Sequence, residues 1–352
     1  MSTSNPRWTH RPDGSNWGDF GPDDQLGRAN LLTPEQVLKG VREVRSGRSF
    51  CLSLPLDLPG GNLLNPRRHP PRLAATTKDD VPYMNFAMHH IDPDAVDVLS
   101  DDQVLLALQY STQWDSLAHM GAWFDVLGDG QARKVYYNGY RAGEHVLGGS
   151  EAGAPNDDGH DGCTHGLGAH RLGIENLAVK TMQGRGVLVD FVPHHGHGRT
   201  LIGHDALQRV LDHDGITIEP GDMLVLRTGF ADVVVDHAGR ASAELLHASG
   251  AVLDGADEKL LQWISDSGIA CICADNYAVE AYPARPRTGP KSLLPLHHHC
   301  LFKLGLPLAE LWYLRELAEH LHAEGRHRFL LTAPPLRLPG AVGSPVTPVA
   351  TV

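Results

Sequence analysis

The stretch Gln109-Tyr110-Ser111-Thr112-Gln113-Trp114-Asp115-Ser116-Leu117-Ala118-His119 decides how the chain is read. It follows the apolar run Val104 to Leu108, short enough for a buried strand. Polar side chains then arrive at Gln109, Gln113, Asp115 and His119, at offsets 0, 4, 6 and 10. Two amides, a carboxylate and an imidazole after an apolar strand suggest a site at a strand end. The local spacing fits equally a turn tied down by the glutamines, with Asp115 as a cap and His119 packed. Only a second cluster far along the chain, His297-His298-His299 followed by Glu310, tips the balance toward chemistry.

Working outward, the polar residues 1–16, broken by Pro6 and Pro12, read as a flexible N-terminal arm. Residues 17–352 read as one domain. Thr33 is placed to cap a helix over 34–45, with Pro34 at its first position and Gln36 completing a capping box. Phe50 to Leu56 alternates as a strand. Residues 58–100, rich in Pro, Gly, Asn and Arg, read as a long surface excursion, a lid or a subunit contact. Val187 to Phe191, Ile216 to Ile218, Met223 to Arg227, Ile269 to Ala274 and Phe329 to Ala333 read as strands. Helices are expected at 174–182, 204–212, 241–248 and 257–267, the last capped by Gly268. The proline-broken tail reads as extended. Residues 150–168 read as loop, and their His, Asp and Cys residues lack zinc-site spacing.

Composition excludes several classes. At 352 residues, 41% hydrophobic and 20% charged, the chain is an ordinary globular sequence. A net charge of −12 argues against nucleic acid and anionic membrane as partners. No apolar run approaches the ~20 residues of a membrane span. The N-terminus lacks signal-peptide features, and five cysteines without framework spacing read as reduced thiols, so a cytoplasmic location is expected. Twenty-two histidines raise the prior for metal chemistry slightly.

With both clusters in view, the chain resembles the cyclase family of metal-dependent hydrolases, the group of bacterial kynurenine formamidase and isatin hydrolase. The family motif is His-x-Gly-Thr-His-x-Asp-x-x-x-His. Residues 109–119 match its spacing, and Thr112, Asp115 and His119 match its residue types. A histidine twelve residues before a glutamate, with glycine and proline between, is met by His298, Gly305, Pro307 and Glu310. Gly184 to Asp190, Gly221-Asp222 and Gly343-Ser344-Pro345 fit as well. The resemblance implies an α/β fold of the swivelling β/β/α cyclase type, assembled as a homodimer or homotetramer.

The departure is the pair Gln109 and Gln113, where the family carries histidines. The resemblance then implies one divalent metal ion, Zn or Mn, held by Asp115, His298 and Glu310. Three consecutive histidines cannot all face one ion, so His297 and His299 stand as alternatives to His298. His119 is placed as general base and then acid, and the NH₂ groups of Gln109 and Gln113 as donors to a substrate carbonyl or oxyanion. Trp114, Trp123 and Tyr137 are the candidates for a pocket around a planar small-molecule substrate. The implied reaction is hydrolysis of an amide, formamide, cyclic amide or lactone. The alternative is a metal-free enzyme or a small-ligand-binding member of the same fold.

Overall fold

The computed structural model describes residues 7–149 and 166–352. Among them, nine short strands form one curled mixed sheet: β1 (Ser49–Cys51), β2 (Gln113–Asp115), β3 (Gln183–Asp190), β4 (Met223–Arg227), β5 (Cys271–Ala274), β6 (Leu308–Glu310), β7 (Arg328–Thr332), β8 (Gly343–Pro345) and β9 (Val349–Thr351). Their order is β1-β9-β7-β3-β4-β5-β6-β2-β8. The middle run β3-β4-β5-β6 is parallel and the flanking pairs are antiparallel. Parallel strands are covered on both faces, so they read as nearly unbroken apolar runs. Gly186 to Asp190 is buried throughout.

The period of two then splits each strand between two cores. Val187, Val189, Leu224, Leu226 and Ile272 pack under α2 (His204–Asp214) and α3 (Glu258–Ser267). Leu188, Met223, Val225, Cys271 and Cys273 pack on the other face with α4 (Arg315–Ala323). Helix α1 (Pro34–Val41) lies against β3 so closely that a Cβ on Gly40 would meet the Gly184 carbonyl at 2.7 Å. Asp257 caps α3 by accepting from the amides of Lys259 and Leu260, and Gly268 ends it in the left-handed region.

Several expectations are corrected. Val104 and Leu105 are 49% and 73% exposed, in a two-stranded ribbon of Arg72–Ala75 with Asp102–Leu105. Almost every residue of that ribbon is exposed, so the apolar run is no core strand. The motif supplies its own strand, β2, instead. Gln36 does not complete a capping box; it is buried and donates to the Pro220 carbonyl. Ile216 to Ile218 is irregular, and Phe230–Asp236 is a helix. Residues 7–16, expected as free arm, are held on the body: Trp8 packs on the core and the Thr9 amide donates to the Val126 carbonyl. The tail is extended as read, but it also completes the sheet as β8 and β9, with Pro345 on the edge strand where a missing N–H is tolerated. Residues 150–165 of the stretch 150–168 expected as loop, and residues 1–6, lie outside the described residues. Among the described residues no helix is long and apolar enough to cross a membrane.

Candidate metal centre

Strand β2 pairs with β6 so that Gln113 stands opposite Glu310 and Asp115 opposite Leu308. Alternation puts Gln113 and Asp115 on the face they share with Glu310 and sends Trp114 to the other. There Trp114 is fully buried in the second core, its indole N–H on the Ala333 carbonyl. On the far side of β2, Gly343 of β8 faces Asp115. A Cβ there would come within 2.4 Å of Gln109 Nε2, so the glycine makes room for that glutamine. Thr112 locks the entry to β2: its hydroxyl donates to the Leu311 carbonyl and accepts from the Leu54 amide. Leu311 itself holds φ +58°, a strained conformation for a leucine, immediately after Glu310.

Asp115, His297 and Glu310 converge, one ligand atom of each lying within 4.8 Å of the others, and all three are buried. The histidine that joins this candidate ligand group is His297, where the family register pointed to His298. The reason is local conformation. Residues 295–303 run as a helical turn and then a π-helix, so successive histidines fan around an axis. His297 points at Glu310 (Nε2 to Oε1, 3.3 Å). His298 turns to a separate recess against Phe302, where burial and then Lys303 push its pKa down to about 4. His299 meets the Ser265 hydroxyl at 2.9 Å.

Glu280, which the sequence reading missed, orients His297. Its Oε1 accepts from the amide and from Nδ1 of His297, both at 2.8 Å, and its Oε2 from the Leu296 amide. This fixes the ring so that Nε2 faces the centre, the arrangement of a metal-ligating histidine backed by a carboxylate. Glu280 follows Ala278 and Val279, two non-glycine residues at φ +71° and +56°. Its one legible signal was a lone acid inside the apolar Ala278-Val279-Glu280-Ala281. Burial works against a proton on His297, but the bonds to Glu280 and Glu310 outweigh it and hold the pKa up at about 10.

The donor set fits a divalent cation. Both carboxylate oxygens of Asp115 and the Oε1 of Gln113 are buried without a hydrogen-bond partner. Burial raises the Asp115 pKa, with His119 pulling the other way. Burial likewise acts to raise Glu310, but His297 outweighs it and the net direction is down. Buried, unpartnered anionic oxygens are costly, and a cation is a standard remedy. Two carboxylates and one imidazole suit Zn²⁺ or Mn²⁺.

The remaining residues divide. His119 lines the cleft over the centre, its Nδ1 3.8 Å from Asp115 Oδ1. Gln113 spends its amide on Glu310 (Nε2 to Oε2, 3.3 Å). Gln109 lines a smaller neighbouring recess. The pocket residues expected from sequence lie elsewhere: Trp114 in the core, Trp123 71% exposed on a hairpin, and Tyr137 buried with its hydroxyl on Asp24. The cleft, about 520 Å³, is walled instead by Tyr277, Tyr282, Leu294 and Leu64, with Arg67 and Arg68 from the 58–100 excursion. Aromatics and arginines on loops carry no periodic signal, so sequence reasoning could not place them.

Comparison with known proteins agrees with this architecture. The Cyclase family model matches residues 52–281, which include the Gln109–His119 stretch and Glu280. A solved structure described as a novel cyclase is 31% identical, with 96% of this chain and 97% of that one covered at a TM-score of 0.70. Isatin hydrolase A from Labrenzia aggregata, bound to benzyl benzoate, is 13% identical over 90% of this chain and 98% of its own, TM-score 0.55. Isatin hydrolase A from Ralstonia solanacearum is 16% identical over 86% and 91%, TM-score 0.51. No curated protein matches the sequence. The match across well over half the chain, joined to the 31% relative, makes this protein a member of the cyclase family.

Proposed function

We propose that the protein is a metal-dependent hydrolase that opens an amide, formamide, cyclic amide or lactone bond of a small cyclic or aromatic substrate. The observation that carries the reading is the pair of unpartnered, buried Asp115 oxygens facing His297 and Glu310. Asp115, His297 and Glu310 are the residues that would hold the ion. When bound, a divalent ion there supplies a Lewis acid and makes neighbouring water more acidic.

The chain's own groups do the rest. His119, partly exposed to the cleft and beside Asp115, accepts a proton from water and returns it to the leaving nitrogen or oxygen. Glu280 keeps the His297 ring in one orientation, and Gln113 does the same for Glu310. Tyr277 and Tyr282 offer faces to a flat substrate and narrow the access of bulk water. With Gln109 and Gln113 in place of two imidazoles, the reading is one ion per chain, because amide oxygens are the weaker ligands.

One observation favours the second reading, a metal-free or ligand-binding member. A protonated His297 between Glu280 and Glu310 already balances part of the buried charge. Elemental analysis of protein purified without chelator, together with a panel of formanilides, cyclic imides and lactones, decides between them. About one Zn or Mn per chain, with turnover lost on chelation and restored by the ion, supports the hydrolase. Turnover unchanged after complete removal of the ion would overthrow it.

A further inference from the structure

With Asp115, Glu310 and Glu280 gathered around His297, a single divalent ion bound there would leave no positive excess, so the centre itself has little reason to attract an anion. The wall of the cleft does. Arg67 and Arg68 both line it, on the loop that begins the 58–100 excursion. Arg68 is half-buried and fixed: its Nη1 donates to the Gln109 carbonyl at 2.8 Å, and its own amide to the Asn65 carbonyl at 2.9 Å. That leaves the Nε–Nη2 edge of the guanidinium, the edge that grips a carboxylate with two parallel bonds, without a hydrogen-bond partner among the described residues. Arg67, exposed at the rim, bonds through its guanidinium to the Asn65 side-chain oxygen alone among the described residues. Neither arginine forms an ion pair among the described residues, and Arg68 acts on the Asp115 and Glu310 carboxyls only through space, pulling both down.

We propose that Arg68, with Arg67 beside it, is a carboxylate subsite, and that the substrate class is an anionic amide or lactone carrying a carboxylate apart from the bond that breaks. The scissile bond comes from the hydrolase reading on which this rests; the anion subsite comes from the cleft wall. Holding Arg68 through Gln109 ties the subsite to the first residue of the motif, four residues before β2, so the anchor and the candidate centre are carried by one short segment. An arginine held in place by its backbone contact loses little freedom on binding, which favours selectivity for a planar anion.

The test compares N-formylanthranilate with formanilide, which differ only by the carboxylate. Binding to the purified holoprotein is measured by calorimetry, and formate release is followed separately. The anion should bind at least about tenfold tighter than the neutral compound. Arg68→Gln keeps a donor for the Gln109 carbonyl but removes the charged fork, and should abolish the preference. Arg68→Lys should restore only part of it. Arg67→Ala should weaken anion binding about threefold at low salt and little at high salt. Equal binding of the two compounds, no binding of either, or a preference that survives Arg68→Gln in a folded variant would overturn the subsite. An anion preference without any formate release would keep the subsite and count against the hydrolase; release from both compounds at equal efficiency would do the reverse.

Discussion

Among the described residues, two groups of histidines and acids could be drawn as metal sites, and they differ in how far their polar atoms are satisfied. Asp115, His297 and Glu310 are buried, and the oxygens of Asp115 meet no donor. His194, His213 and Asp214 lie toward the surface, with His213 75% exposed, and both oxygens of Asp214 are already bonded to imidazole nitrogens at 2.8 to 3.1 Å. The first group leaves carboxylate oxygens without a partner; the second is satisfied by its own members. Both groups join histidine to carboxylate, so it is desolvation without a partner, rather than the mere presence of ligand types, that marks the candidate centre.

Removing Asp115 should have the largest effect. Asp115→Ala is expected to lower bound metal from about one ion per chain to near zero and turnover by about 10³-fold or more, whereas Asp214→Ala should leave both unchanged. Elemental analysis and rate measurement on the two variants compare the groups directly; equal losses would erase the distinction between them.

The histidine run sharpens the same contrast. His297→Ala should abolish metal binding and, by leaving Glu280 and Glu310 buried without their partner, destabilise the fold by about 3–5 kcal/mol. His298→Ala should retain the ion. Denaturant unfolding and metal content of the pair would expose an error if His298 proved the indispensable one. Glu280→Gln is a smaller change, because it keeps an acceptor for the His297 ring. It should weaken metal affinity by about 10- to 100-fold, read by competition with a chromophoric chelator.

The surface group should show the smallest effect, and one governed by pH. Burial acts to raise the Asp214 carboxyl, but bonds from His213 and His194 outweigh it and hold it below the usual range. A depressed carboxyl contributes stability above its unfolded pKa of about 3.9, and loses it as pH falls through the lower folded value. Asp214→Asn should therefore cost about 0.5–1 kcal/mol near neutral pH and approach nothing in strong acid. Chemical unfolding at a series of pH values checks this; a penalty that persists at low pH would mean the pair is held by something other than charge.

Much of the fold was legible because burial leaves periodic traces. Val187 to Val189 and Met223 to Arg227 read as buried strands since a parallel sheet covers both faces. Val104 to Leu108 misled for the converse reason: an apolar run looks the same whether or not another layer covers it. Trp114 was sent to the pocket on composition, and alternation along β2 sent it to the core.

For the site, the sequence alone determined which residue types were available and that two distant segments, 109–119 and 297–310, belong together. Asp115, Glu310 and His119 were all named from it, because a motif of fixed spacing survives as a string. The tertiary structure decided what a string does not encode. A helical turn running into a π-helix brought His297, rather than its neighbours, to Glu310, since a helix rotates each successive side chain while an extended chain merely alternates them. Tyr277 and Arg68 came into the cleft, and Glu280 came behind His297, from loops whose approach depends on the packing of the whole sheet, and no local period records that.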